Sequence, residues 1–145
     1  AALRAPIAIA SAPEALRKDR GFMFSAVHIR GIFLEYASST LRADHSLVKI
    51  AVSQDGNALE FAAEDLRHNI EIVLTAVECK GSALRYAADE LRAEQSVVLA
   101  ALEDSGMALQ YASEELKGDS GIVLAAMQKN PEACCHAKKK SVVSG

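Results

Sequence analysis

The sequence predicts an all-α protein, a small α-solenoid of about five and a half two-helix repeats of 25 residues. Self-similarity at such a period is typical of stacked repeat proteins. In each of the five full units, alanine follows the opening residue at six and at twenty positions, and leucine follows it at ten. The opening residues stand 25 positions apart and are Pro6, Gly31, Gly56, Gly81, Gly106 and Pro131.

The phase of the repeat defines the domain organisation. We expect one helical-repeat domain over residues 1–137 and a basic mobile tail over residues 138–145. An irregular N-terminal cap is expected over residues 1–20, because Pro6 and Pro13 interrupt the first helix. The repeats are 6–30, 31–55, 56–80, 81–105 and 106–130, with a partial repeat over 131–137.

The first half of each unit has the spacing of a short amphipathic helix. In the third unit Leu59, Ala62 and Leu66 recur at intervals of three and four residues, and the opposite face is charged. We expect a helix of about ten residues, about 15 Å long. The two recurring alanines of each unit are predicted to lie where helices approach closely.

The second half of each unit is apolar on nearly every side, and by period alone it could be a buried strand. Alanine pairs such as Ala100–Ala101 favour a helix, as does the glycine that opens the next unit, where helices commonly end. A helix that is apolar all round must be covered on both sides, so the second helix is expected to be the inner one.

A capping residue precedes the second helix in four units. In the fourth unit Glu94 takes that place, so the helix after it is expected to begin less firmly. The four predicted caps are Asp19, Asp44, Asn69 and Asp119.

One column of the second helix holds a lysine among large apolar residues. Either the column is buried and the lysine reaches water past a rim, or the column faces outward and forms an apolar strip for a partner. We favour the buried column, because Leu or Phe fills the other four positions. The column is Phe24, Lys49, Leu74, Leu99 and Leu124.

An aromatic column recurs at the same interval. The favoured interpretation is packing between repeats with the hydroxyls at the wet edge, and the alternative is a ridge that contacts a peptide or a pigment. This column and the lysine-containing one are the candidate partner-binding residues. The aromatic column is Tyr36, Phe61, Tyr86 and Tyr111.

A cationic column lies at the end of each first helix. Acidic residues precede four of its members by three positions, which is the spacing of intrahelical ion pairs. The net charge of −3 gives no basic excess, so no nucleic-acid partner is expected. The column is Arg17, Arg42, Arg67, Arg92 and Lys117.

We expect no enzyme activity, no cofactor and no metal. The four histidines fall at four different phases of the repeat, so no catalytic set lines up. The sequence Cys134-Cys135-His136 could bind a metal, but structural zinc needs four ligands at wider spacing. Cys134 also stands in a leucine column that is expected to be buried.

The cysteines and the first residue bear on the location of the protein. Three cysteines form no disulfide framework, which favours a reducing compartment, either the cytoplasm or an organelle stroma. The chain starts at Ala1, which is compatible with a processed precursor or a fragment. No run approaches the 18 apolar residues of a membrane span, so we expect a soluble protein. Lipid or pigment contact is expected only as part of a membrane complex.

The unit Gly-x-Ala-Leu-x-Tyr-Ala-Ser-x-x-Leu-x-x-Asp resembles the repeat family catalogued as domain of unknown function 4116. Residues 106–127 match that pattern almost throughout, residues 56–77 nearly as well, and the resemblance covers about residues 21–137. It implies a helical repeat, assigns no activity and supplies no catalytic residues. Such repeats are frequent in unicellular eukaryotes, including algae.

The repeat architecture favours a non-enzymatic protein–protein interaction module or scaffold, which binds another protein by shape and apolar complementarity along the stack. A first alternative is an accessory or linker subunit of a large organellar complex, such as a photosynthetic one, in an alga-like protist. A second alternative is a redox- or metal-responsive module that uses Cys134, Cys135 and His136.

Overall fold

The structure, a computed structural model, describes residues 13–137, and each of the four repeats between residues 31 and 130 consists of three helical segments. Helices of one turn are α1 (Glu14–Arg17), α3 (Ser39–Arg42), α5 (Glu64–Arg67), α7 (Asp89–Arg92) and α9 (Glu114–Lys117). Ten-residue helices are α2 (Arg20–Ile29), α4 (His45–Gln54), α6 (Ile70–Cys79), α8 (Gln95–Asp104) and α10 (Ser120–Lys129). Six-residue 3-10 helices are η1 (Gly31–Tyr36), η2 (Gly56–Phe61), η3 (Gly81–Tyr86), η4 (Gly106–Tyr111) and η5 (Pro131–His136).

The predicted all-α solenoid is confirmed, and the described part of the chain contains no strand. Residues 13–20, which fall within the predicted N-terminal cap, carry α1 and the first residue of α2. The rest of that cap and the predicted tail over 138–145 lie outside the described residues.

The prediction of one continuous first helix of about ten residues is wrong. Each of these four units instead has a 3-10 helix and a one-turn α-helix, separated by two non-helical residues, with ψ of 151° at Ala62 and 153° at Ala63. The reason is a hydrogen bond to the preceding repeat. The Ala63 N–H donates to the Arg42 carbonyl at 2.9 Å instead of joining a helix of its own unit.

Equivalent backbone hydrogen bonds link the five full repeats in succession. The Ser38 N–H donates to the Arg17 carbonyl, and the Ala88 N–H to the Arg67 carbonyl, both at 3.0 Å. The Ser113 N–H completes the series with the Arg92 carbonyl, also at 3.0 Å. Because only backbone atoms take part, this ladder does not depend on which side chains occupy the two positions.

The long helices form one layer and the 3-10 helices form a second. Each long helix packs on the next, and each 3-10 helix from η1 to η4 lies between the long helix before it and the one after it. The core fills the space between the layers, where residues such as Val48, Ala51 and Leu59 are fully buried. Stability therefore comes from contacts between repeats, since helices this short are not stable alone.

The predicted caps of the long helices are confirmed. Asp19, Asp44, Asn69 and Asp119 each accept a hydrogen bond from a backbone N–H in the first turn. Glu94 makes no such bond, although α8 still begins directly after it. The four caps satisfy backbone donors that would otherwise lack a partner.

The recurring glycines are not left-handed caps, because none of the described glycines has a positive φ. Each long helix is followed by one residue in extended conformation, and the glycine comes after that residue. Gly56 instead lies against the backbone of the following long helix. A Cβ on Gly56 would meet the Ala76 carbonyl oxygen at a separation that real side chains do not show. The same contact joins Gly31 to Ala51, Gly81 to Ala101 and Gly106 to Ala126.

Candidate functional site

The long helices bury only one face. In α4 the residues Leu47, Val48 and Ala51 are completely buried, whereas Lys49 is exposed on the opposite side. The prediction that the second helix is covered on both sides is therefore wrong. The 3-10 helices cover the layer of long helices from one side, and the other side forms an outer face of the molecule.

The lysine-containing column lies on this outer face, so the preference for a buried column with Lys49 at a rim is wrong. The side chain of Lys49 is 46% exposed. Leu99 is 36% exposed and Leu124 is 59% exposed. Phe24 and Leu74 are half-buried at the edge of the core. The structure thus brings the five predicted residues of this column onto one surface.

The N-terminal part of the outer face is polar and internally paired. The Arg20 guanidinium lies 4.5 Å from the centre of the Phe24 ring, and its Nε donates to the Asp44 carboxylate at 2.7 Å. Lys49 Nζ donates to Glu71 at 3.0 Å, and His45 Nε2 lies 2.9 Å from the same carboxylate. These contacts cover the aromatic ring and satisfy the charges, so little apolar surface is free there.

Two carboxyl groups of this paired region have pKa values below their ordinary ones. The hydrogen bond from Arg20 lowers the pKa of Asp44, and two backbone N–H groups at the start of α4 lower it further. The hydrogen bond from Lys49 lowers the pKa of Glu71, assisted by the charge of that lysine. The pairing of the N-terminal half is therefore maintained at neutral pH.

The C-terminal part of the outer face is apolar. We call the exposed or half-exposed residues Ile70, Leu74, Leu99 and Leu124 the apolar strip. The strip crosses three successive long helices, α6, α8 and α10. Small outward-facing residues beside the leucines keep this surface smooth, and they are Ser96, Ala100, Gly121 and Ala125.

Acidic residues lie along one edge of the apolar strip. Glu78 and Glu103 are exposed in the last turns of α6 and α8. A negative charge at the C-terminal end of a helix opposes the helix dipole, so the stability of these helices does not explain them. Glu103 forms an ion pair with Lys129 at 3.4 Å, and both side chains are well exposed.

The aromatic column lies in the layer of 3-10 helices, away from the apolar strip. All four rings are half-buried and pack against the core. Arg85 lies over the rings of Tyr86 and Tyr111, at 5.2 and 5.5 Å from their centres. This geometry agrees with packing between repeats, and the structure does not bring the two predicted columns together.

The cationic column has a structural role that the sequence analysis missed. Arg17 Nε donates to the Tyr36 carbonyl at 2.8 Å, and Arg92 Nε donates to the Tyr111 carbonyl at 2.7 Å. Each bond ties a one-turn helix to the end of the next 3-10 helix. The constant spacing of 19 residues between the cation and the aromatic position was the feature of the sequence that could have indicated this contact. The Arg67 Nε is buried without a hydrogen-bond partner.

Only two of the predicted intrahelical ion pairs of this column are present in the described chain. Arg92 pairs with Asp89 at 3.5 Å, and Lys117 pairs with Glu114 at 3.4 Å. Both acidic partners are strongly exposed, so each pair contributes little to stability.

The cysteine pair at the last 3-10 helix is exposed. Cys134 was expected to be buried like the leucines of its column, and this expectation is wrong. The reason is that η5 packs on α10 without a second long helix to cover it among the described residues. His136 is half-buried, and its Nε2 has no hydrogen-bond partner. Residues 13–137 contain no group of three or more His, Cys, Asp or Glu side chains placed to hold a metal ion.

The other histidines make local contacts. His28 Nδ1 lies 2.7 Å from the Phe24 carbonyl, and His68 Nδ1 lies 2.9 Å from the Glu64 carbonyl. The contact with the Glu64 carbonyl raises the pKa of His68. In the described segments no hydrogen bond joins a histidine to a serine, threonine or cysteine, which is the pairing that activates a nucleophile.

The comparisons with known proteins agree with the repeat architecture. No curated protein and no solved structure matches the chain. No helix in the described range combines the length and apolar character that crossing a membrane requires. The model of the family Domain of unknown function (DUF4116) matches two consecutive segments, residues 44–92 and 95–140. These matches cover more than half of the sequence and begin within the second repeat, so the chain belongs to the DUF4116 family.

Proposed function

We propose that this protein is a non-enzymatic interaction module that docks a helical segment of another protein on its outer face. The partner segment is amphipathic, with an apolar side that covers the apolar strip and basic residues that face Glu78 and Glu103. The observation that carries the proposal is the exposure of large apolar side chains on three successive long helices.

The shape and chemistry of the strip support docking of a helix. Exposed apolar residues that are contiguous and rimmed by polar ones mark interaction sites. Leu99 and Leu124 stand above small neighbours, so a partner helix can approach closely. Covering these side chains is favourable by about 25 cal/mol for each Å² of apolar surface removed from water.

The acidic edge supports a basic partner. Glu78 opposes the dipole of α6, so a cationic side chain beside it would relieve an unfavourable interaction as well as form an ion pair. Glu103 already pairs with Lys129, and both side chains are exposed enough for a basic partner residue to join this pair. The same charges repel anionic lipid surfaces and nucleic acids. A basic amphipathic segment of a protein is therefore the partner class that the outer face fits best.

A designed peptide tests this proposal directly. The probe is an amphipathic helix of about 18 residues, about 27 Å long, with leucines on one side and lysines on the other. That length crosses three helices spaced about 8–10 Å apart. A matched peptide carries glutamate in place of lysine. Fluorescence anisotropy should detect binding of the lysine peptide and not of the glutamate peptide.

Variants of the protein locate the binding surface. Leu99→Ser with Leu124→Ser should weaken lysine-peptide binding at least tenfold, and Glu78→Gln with Glu103→Gln should lower its salt dependence. Ile29→Ser is the matched control, because Ile29 is 53% exposed but lies outside the strip. Equal binding of the two peptides, or equal weakening by the control, would contradict the proposal.

Lys49→Leu separates binding from folding. Because Lys49 lies on the outer face, its replacement should change the free energy of unfolding by no more than about 0.5 kcal/mol, as is usual for surface substitutions. The leucine should extend the apolar strip towards α4 and tighten binding of the lysine peptide. A large gain in stability with unchanged binding would show that the position belongs to the core.

A further inference from the structure

The residue that opens a repeat is in contact with the backbone of the long helix that follows. At Gly31, Gly56, Gly81 and Gly106, an added Cβ would collide with the carbonyl oxygen of the alanine twenty positions later. The obstacle is backbone in all four cases, so it cannot move aside without displacing the helix. Absence of a Cβ is therefore a condition for stacking one repeat on the next.

The N–H of the opening residue is also used between repeats. The Gly81 N–H donates to the Asp104 carboxylate at 2.8 Å, and the Gly106 N–H donates to the Asn130 side chain at 2.7 Å. Both acceptors belong to the end of the following long helix. At these two positions the contact therefore uses a free N–H as well as an empty Cβ position.

Pro131 meets neither condition. It opens η5, which otherwise has the same backbone as the other 3-10 helices. Asn130 before it is extended with φ of −139°, and Ala137 after it is extended with ψ of 143°. The proline ring places a Cβ where the backbone of a following long helix would lie, and its nitrogen carries no hydrogen.

The side chains that such a helix would cover are open. Val123 and Met127 of α10 are partly exposed, whereas the equivalent Val98 and Leu102 of α8 are buried. Cys134 of η5 is exposed, whereas the equivalent Leu109 is buried. The C-terminal end of the described stack is thus an unfilled repeat interface with an altered opening residue.

We propose that Pro131 prevents a helix of the repeat type from packing on η5. The exclusion applies to a helix from the same chain and to one from a second copy. At position 131, replacement of glycine by proline thereby prevents a further unit from stacking on η5 with the geometry of the internal repeats.

Three elongated chains test this proposal. Each contains the full sequence with a copy of residues 106–130 inserted after Asn130, and they differ only in whether the inserted unit opens with Gly, Ala or Pro. The Gly-opened chain should unfold in urea in one transition, with an m-value higher than that of the parent by about one fifth, because one more repeat is buried. Its inserted amides should also be protected in hydrogen exchange.

The Pro-opened chain should keep the m-value of the parent and leave the inserted amides unprotected, while the amides of α4, α6 and α8 stay protected. The Ala-opened chain should behave in the same way, because the Cβ of alanine causes the collision even though its N–H is retained. A Pro-opened or Ala-opened chain that matched the Gly-opened one would overturn the proposal. A Gly-opened chain without added protection would overturn it as well, since exclusion would then not depend on the opening residue.

Discussion

At the scale of single residues, the most constrained positions are those where two backbones meet. The Cα of Gly81 lies against the Ala101 carbonyl, and the carbonyl of Ala101 also accepts the N–H of Ser105 at the end of α8. The glycine and the alanine are therefore two sides of one contact. Neither recurs because of its own secondary-structure preference.

Gly81→Ala should destabilise the protein by about 1–3 kcal/mol, because its new methyl group overpacks this contact. Gly21→Ala is the matched control, since the nearest neighbour of a Cβ there is the Asp19 carboxylate oxygen at 3.4 Å, an ordinary contact. The control should stabilise by about 0.4–1 kcal/mol through a less flexible unfolded chain. Urea unfolding followed by circular dichroism measures both, and changes of the same sign would contradict the assignment.

The Asp44 carboxylate both caps α4 and forms an ion pair with Arg20. The dependence of stability on pH distinguishes these two contributions. Its pKa is lowered in the folded state, so its ionic contribution is complete above the ordinary carboxyl pKa of about 4 and is lost as the pH falls through the lower folded value. Asp44→Asn keeps the capping acceptor and removes the charge. The variant should be less stable at pH 7 by up to about 1 kcal/mol.

This difference should shrink as the pH falls below the ordinary carboxyl pKa, and it should disappear once the carboxyl is protonated in the folded state as well as in the unfolded state. Urea unfolding of the two proteins across this pH range is the measurement. A gap as large in acid as at neutral pH would show that Asp44 acts through its shape and not through its charge.

At the scale of helices, the long helices share a cap, a buried face and an end in extended conformation. The helix α8 is the exception, because Glu94 accepts no hydrogen bond from its first turn. Its burial is the same as that of the other central helices, with Val97, Val98 and Ala101 inaccessible to solvent. Packing between repeats thus maintains a helix whose start is locally unsatisfied.

Glu94→Asp should restore the missing cap and raise the free energy of unfolding by about 0.5–1 kcal/mol. The reverse change, Asp119→Glu, is the matched control, because Asp119 accepts bonds from the Gly121 and Ile122 N–H groups and has no ion-pair partner within the described chain. It should lower stability by a similar amount. Changes in stability of the same sign for the two variants would contradict a capping role for this position.

At the scale of the whole molecule, each repeat is stabilised by its neighbours. The central long helices α4, α6 and α8 pack between two others, whereas α2 and α10 each pack on one among the described elements. In stacked repeats, stability is close to a sum of unit terms and neighbour terms. The two ends of the stack therefore have fewer stabilising contacts than its centre.

Native-state hydrogen exchange should reflect this arrangement. We expect the strongest protection for amides in α4, α6 and α8, and weaker protection in α2 and α10, because end repeats open without unfolding the centre. NMR or mass spectrometry measures the exchange rates of the amides in each helix. Uniform protection across the five long helices would show that the stack unfolds as a single unit.

Several features were predictable from the sequence because they are local or strictly periodic. The period of 25 residues and the family pattern predicted the solenoid. Asp19, Asp44, Asn69 and Asp119 predicted the starts of the long helices, since a cap acts within one turn of its own chain. The rings of the aromatic column pack against the core, as the favoured interpretation of their spacing expects.

The remaining features depend on contacts between residues about 20 positions apart, which a local pattern does not encode. The break at Ala62 comes from a hydrogen bond to Arg42, and the glycine at position 56 is required by the carbonyl of Ala76. The outward direction of the Lys49 column was also undecidable, because one lysine among four apolar residues fits a rim as well as a surface. Sequence alone thus determined the repeat, the caps and the helical class. Only the tertiary structure decided which face meets water, because that depends on the single layer of 3-10 helices covering one side.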